Sequence, residues 1–201
     1  MLKQFPSLEA MEGYINSKIQ GSFSVWDMTV LGMYTKKLQA GDQYLEIGVQ
    51  FGKSSASAVF QSPEGVKFYF CDILDQPRLA PPFQNLLSRA EFFETEGLNT
   101  VGTYILGDSP EVAKTWDKGE LAMIFIDGDH SYNAVKADIL AWTPFLKHGG
   151  WILFHDYDIF TSPAVQEAVN ELIRDSGEYK DFFYAQKDYN LRSSIAGAMK
   201  I

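Results

Sequence analysis

From about residue 43 onward the chain alternates short apolar, β-branched or aromatic runs with longer stretches of helical spacing. Two of the runs, LAMIFID (121–127) and GWILFHD (150–156), are almost continuously apolar up to an acidic end. A strand without a polar face must be covered on both sides. Strand–helix alternation of this kind implies a mostly parallel sheet with helices on both faces. Strands are expected at 43–48, 66–72, 101–107, 121–127, 150–156, 180–186 and 193–201, with a short loop joining the last two. Helices are expected at 7–19, 25–39, 54–61, 82–97, 110–117, 131–147 and 163–175. The first has Ser7 as N-cap and Leu8, Met11, Tyr14, Ile15 and Ile19 at helical spacing. The second carries Trp26, Val30, Met33, Tyr34 and Leu38, with Gly41 placed for a C-terminal cap. The helix at 131–147 is the clearest, with Val135, Ile139, Trp142 and Leu146 on one stripe.

The chain has 201 residues, which suits one domain with a sizeable core. Hydrophobic residues at 46% and charged residues at 21% exclude a disordered chain. Lysine plus arginine number 17 against 26 aspartate plus glutamate, a formal charge of −9. That balance lacks the basic footprint of nucleic-acid binders and would be repelled by anionic lipid. It is also a common route to solubility. The lone cysteine, Cys71, excludes an intrachain disulfide and a cysteine-based zinc site, and favours a reducing compartment. The first residues contain no apolar leader segment, and the longest apolar runs are strand-sized. A cytoplasmic protein with a small-molecule partner, no nucleic acid and no membrane is the expectation, with a homodimer compatible with it.

In parallel sheets of this type ligands sit beyond the carboxyl ends of the strands. The first strand ends in Glu46-Ile47-Gly48-Val49-Gln50-Phe51-Gly52-Lys53-Ser54. Glycines in a strand-to-helix turn let backbone approach a ligand, and the helix N-terminus can receive polar groups. The plain alternative is a tight turn with no ligand. A dinucleotide fingerprint requires a glycine where Gln50 stands, and the phosphate-binding P-loop requires one more residue between Gly48 and Gly52. Asp72 ends the second strand 20 residues after Gly52, where an acidic side chain accepts hydrogen bonds from ribose hydroxyls. Asp108 and Ser109 follow the third strand and serve equally as helix caps. The fourth strand ends in Asp127-Gly128-Asp129-His130 and the fifth in His155-Asp156-Tyr157-Asp158. Oxygen and imidazole donors from adjacent strands suit a hard or borderline cation such as Mg²⁺ or Mn²⁺. Helix capping within a hydrogen-bonded surface cluster is the alternative. His148, before Gly149-Gly150, reads as a surface turn residue.

Taken together, E-x-G-x-x-x-G-x-S, the acidic end of the second strand, IDGDHSY and GGWILFHDY resemble class I S-adenosylmethionine-dependent methyltransferases. The branch containing macrocin-type sugar O-methyltransferases and cephalosporin-hydroxylase-like proteins is the most similar. The resemblance covers residues 40–201 and implies a doubly wound, Rossmann-like seven-stranded α/β sheet with an antiparallel last strand. Residues 41–201 would form the methyltransferase core. Residues 1–40 would form a helical segment that covers the acceptor site or simply packs on the sheet, with Phe23, Trp26, Met28, Met33 and Tyr34. The implied cofactor is S-adenosylmethionine. Glu46, Gly48, Gly52 and Ser54 would shape its methionine and ribose side, Asp72 would bind the ribose diol, and Asp108 and Ser109 would lie near the adenine. Asp127 would lie between the cofactor's amino group and a metal, with His155 and Asp156 completing the metal site. Metal-dependent relatives often carry an acidic residue where this chain has His155, and imidazole suits Mn²⁺ better than Mg²⁺. The reaction implied is O-methylation of a small hydroxylated molecule such as a sugar or secondary metabolite. Asp129 and His130 are the candidate bases, because both follow the fourth strand beside the expected methyl group. The alternatives are a cofactor-binding relative that transfers no methyl group, either regulatory or oxygenase-associated, and an NTPase.

Overall fold

The all-apolar run Leu121–Ile126 forms β4, every residue of which is buried. In the computed structural model, which describes residues 2–73, 87–158 and 160–201, it lies mid-sheet between β1 (Gln43–Ile47) and β5 (Leu146–Phe154). Beyond β1 come β2 (Lys67–Asp72) and β3 (Gly102–Leu106). Beyond β5 come β7 (Ala196–Lys200) and then β6 (Tyr179–Tyr184) at the edge. The order is β3-β2-β1-β4-β5-β7-β6, with β7 antiparallel to both its neighbours and the first five strands parallel.

Period-two alternation sends side chains to two separate cores. Tyr44 and Phe125 face one; Leu45, Ile47, Ile124 and Ile126 face the other. The first core is closed by α1 (Leu8–Asn16), α2 (Val25–Thr35), α3 (Lys53–Gln61) and α4 (Arg89–Thr95). The second is closed by α5 (Ser109–Ala113), α6 (Tyr132–Trp142) and α7 (Pro163–Val169). Phe125 and Phe154 are both 0% exposed, and each such burial contributes roughly 2–3 kcal/mol. Among the described residues, no helix is long and apolar enough to cross a membrane.

The structure moves several boundaries. The helix expected at 131–147 stops at Trp142, and Thr143–Phe145 form a 3-10 turn. Pro144 has no N–H to continue the ladder and disfavours helix at Thr143. Leu146, placed on the helical stripe by spacing, begins β5 instead. A register shift against β4 then absorbs His148 and the two glycines. His148 is exposed, with its Nδ1 against the carbonyl of Ile201. α2 ends at Thr35, short of residue 39. α7 continues as a π-helical turn, Asn170–Arg174. The link between β6 and β7 holds a short helix, α8 (Ala185–Asp188). Of the helix expected at 82–97, residues 82–86 lie outside the described residues.

One contact fixes the sheet's ligand-facing edge. Gly48 follows β1 with φ +85°, and a Cβ there would lie 2.1 Å from the Asp127 carbonyl oxygen. Asp127 N–H donates to the Ile47 carbonyl at 2.7 Å, clamping the two strand ends together. Backbone on both sides leaves nothing to yield. Gly48→Ala should cost about 3 kcal/mol, a Tm drop of roughly 6–12 °C for a chain of this size, measurable by circular dichroism.

Candidate functional site

At the carboxyl ends of β1 to β5 lies a cavity of about 680 Å³. This is within the roughly 300–1,000 Å³ typical of small-molecule sites. Its walls come from the loop after β1 (Gly48–Phe51, Lys53, Ser54), Asp72 and Ile73, Gly107–Pro110, Asp127–His130, and His155 with Asp156. α6 adds Ala134, Ala137 and Asp138, and the turn before α2 adds Gly21, Ser22 and Phe23.

Asp72 organises the loop as well as facing the cavity. Its Oδ2 accepts the Val49 and Gln50 amides at 2.9 and 2.7 Å. Gln50 is held at φ +49°, a conformation that few residues other than glycine adopt. Arg89 reinforces the arrangement: it donates to the Gln50 carbonyl at 3.0 Å, lies 3.8 Å from Asp72 and stacks 4.2 Å over Tyr104. Gly52, at φ +86°, serves packing, since a Cβ there would be 2.3 Å from the Phe93 ring. Lys53 ties the loop to the N-terminal segment through Nζ and the Gly21 carbonyl, 2.9 Å apart.

Glu46, expected to shape the cofactor pocket, is 0% exposed and is not among the described residues lining the cavity. It lies beneath the loop in a strand buried on both sides. Its Oε1 accepts the Ser54 and Ser55 hydroxyls at 2.6 and 2.9 Å, and Tyr44 donates to Oε2 at 3.3 Å. It therefore pins the start of α3. Burial pushes its carboxyl up to about 8, against the three hydroxyl hydrogen bonds. Ser54 lines the cavity but its hydroxyl points down to Glu46.

On the third-strand side, Asp108 occupies the N-cap position of α5 without a side-chain cap bond. Ser109 Oγ accepts from Trp142 Nε1 at 2.7 Å. Next to them stands Asp138, a residue the sequence did not single out. Burial pushes its carboxyl up to about 6, opposed by a hydrogen bond with Ser109.

At the other end, histidines and carboxylates interlock. His155 Nδ1 is 2.9 Å from Asp156 Oδ2 and 3.2 Å from Asp127 Oδ1, and its Nε2 is 3.6 Å from Asp27 Oδ1. His130 Nε2 is 3.1 Å from Asp156 Oδ2. Burial opposes charge on His155, but Asp127, Asp156 and Asp27 outweigh it and hold the ring well above the usual histidine range. Burial likewise opposes charge on Asp156, yet both histidines hold it below the carboxylate range. Burial wins at Asp127, which is raised. His130 is raised by its hydrogen bond to Asp156. Asp129 is exposed and lowered, its Oδ1 accepting the Ser131 amide at 2.7 Å. Asp156 sits at φ +55°, supported by the Ser194 hydroxyl 3.1 Å from its amide nitrogen. Asp27 was missed because Ser24-x-x-Asp27 forms a capping box, and a cap explains an aspartate locally. Its second oxygen reaches His155 from 128 positions away in the chain.

The ligand-capable atoms that gather within 4.8 Å come from Asp127, His130 and Asp156, with His130 in the place expected for His155. A divalent metal does not fit this charge arrangement. It would share Asp127 and Asp156 with the His155 imidazolium. At ~4 Å the repulsion between a dication and an imidazolium is about 8 kcal/mol with an effective dielectric near 20.

Residues 45–157, more than half of the chain, match the family model of a methyltransferase domain. The chain belongs to that family, and is a class I S-adenosylmethionine-dependent methyltransferase. The cofactor-bound protein Rv0187 from MTB superposes with a TM-score of 0.68 at 15% identity, covering 96% of this chain and 89% of that one. An O-methyltransferase from Bacillus cereus in complex with SAH gives 0.66 at 16% identity, covering 96% and 89%. A putative caffeoyl-CoA O-methyltransferase from Staphylococcus aureus gives 0.65 at 19%, covering 98% and 93%. Such identities establish the fold. An uncharacterized protein of Acanthamoeba polyphaga mimivirus is 40% identical over 63 residues, 30% of this chain and 28% of that protein.

Glu46 makes stability fall as pH rises. Its folded-state value near 8 exceeds the ordinary 4.5, so the folded chain keeps a proton that the unfolded chain releases between pH 4.5 and 8. The ceiling on this effect is about 5 kcal/mol at about 1.36 kcal/mol per pH unit. Glu46→Gln should retain the serine hydrogen bonds and flatten the decline. Urea unfolding of both proteins at pH 5 and pH 8 checks it: equal slopes would contradict the assignment.

Proposed function

We propose that the protein methylates a hydroxyl of a small acceptor, of the sugar or secondary-metabolite kind, using S-adenosylmethionine. The observation that carries the reading is the His130–Asp156 pair, 3.1 Å apart, on the same cavity as the glycine loop. The O-methyltransferase names of structural neighbours support the choice of oxygen.

The cofactor, when bound, supplies a methyl group already activated on a sulfonium. Gly48 would give it a wall without a side chain, Asp72 would accept from the ribose hydroxyls, and Asp108 and Ser109 would border the adenine. Asp127 would face the methionine amino group. Phe23 and the turn at Gly21 and Ser22 close the acceptor side, so that residues 1–40 both pack on the sheet and cover the site. The remaining work is to hold the acceptor in line and take its proton. Of the two candidate bases, His130 takes this role. Its Nε2 rests on Asp156, which orients the ring and stabilises the imidazolium, leaving Nδ1 to receive the hydroxyl proton. Asp129 is a weaker base, lowered by its bond to the Ser131 amide, and shapes the loop instead. The carboxylates around the cavity favour a cationic cofactor and disfavour a polyanionic acceptor.

Transfer from radiolabelled S-adenosylmethionine to a panel of hydroxylated sugars and phenols tests this. Once an acceptor is found, His130→Ala should lower kcat by roughly 10²–10⁴, the range for a general base, with S-adenosylhomocysteine affinity within about twofold. Asp129→Ala should change kcat by less than about tenfold. Unchanged turnover in His130→Ala removes the base assignment. Tight cofactor binding without transfer to any acceptor favours the non-catalytic relative.

A further inference from the structure

The position of His155 between carboxylates on two sides has a consequence for metal dependence. Its Nδ1 serves Asp127 and Asp156, and its Nε2 faces Asp27. A neutral imidazole carries one N–H, so acidic partners at both nitrogens select the imidazolium. Asp27 Oδ1 and His155 Nε2 are buried without a hydrogen-bond partner among the described residues, and they face each other at an ion-pair distance of 3.6 Å. The ring is only 11% exposed and lies against Phe23 at 5.4 Å and Phe125 at 6.3 Å between centroids. Those aromatic walls limit screening of the pairs on that side of the ring. His130 is the other imidazole facing the cluster, its Nε2 3.1 Å from Asp156 Oδ2.

We propose that His155 is the built-in cation of this centre, standing between Asp127 and Asp156 where a divalent metal would otherwise be needed, and anchoring α2 to the strand ends through Asp27. One side chain thus does two jobs. It neutralises the carboxylates of β4 and β5, and it links the N-terminal segment to them. The proposal concerns the charge of the centre and holds whether or not the acceptor class assigned above is right; cofactor titration tests that reading separately.

The measurement is Mn²⁺ binding to the full chain by electron paramagnetic resonance, with wild type, His155→Asn and His155→Asp compared. Wild type should show no stoichiometric Mn²⁺ binding at millimolar ion. Both variants should bind at least about tenfold more tightly, and their lowered melting temperatures should rise on adding Mn²⁺. Stoichiometric binding by wild type, or variants that gain nothing, overturns the proposal. If neither variant folds, the nitrogen-15 shifts of the wild-type His155 ring at pH 7.5 decide it. Two protonated ring nitrogens support the proposal, and a neutral ring overturns it.

Discussion

Everything at the functional edge depends on how closely β1 and β4 end beside one another. Asp127 donates to the Ile47 carbonyl at 2.7 Å, and Gly48 passes the Asp127 carbonyl with no room for a Cβ. That contact sets where the glycine loop leaves the sheet. The loop is then held from three directions. Asp72 receives its amides from the β2 side, Glu46 receives the α3 serines from below, and Arg89 donates to the Gln50 carbonyl from α4. Such bracing means that the cavity wall is formed before any ligand arrives, which lowers the ordering cost of binding.

The same edge concentrates acid. Asp27, Asp72, Asp127 and Asp156 are mostly buried, and bare carboxylates so placed would be costly. The protein handles them by different means. Asp72 is met by amides and lies near a guanidinium, whereas Asp27, Asp127 and Asp156 share His155. Positive-φ geometry at Gln50 and Asp156 marks both arrangements, in keeping with backbone strain held at sites of function.

The architecture was largely legible because it is written in local patterns. Continuous apolar runs identified β4 and β5, and turn glycines and terminal aspartates identified the edge where ligands bind. Less legible were features set by partners distant in the chain. Glu46 sits inside a loop-adjacent motif, and nothing in its spacing says that Ser54 and Ser55 will draw it under the loop. Asp27 reads as a helix cap and is one, so its second oxygen escaped notice. Asp138 lies within a helical stripe that looked structural. His155 had the right residue type for a ligand, and only its contacts with three carboxylates point to the charge proposed for it. Pro144 was a local signal for the end of α6 that hydrophobic spacing overrode.

Isothermal titration of the wild-type chain with S-adenosylhomocysteine tests the central claim most directly. The account predicts saturable binding at a single site per chain, weakened when Asp72 is replaced by alanine. A flat titration with a folded wild-type protein would contradict it.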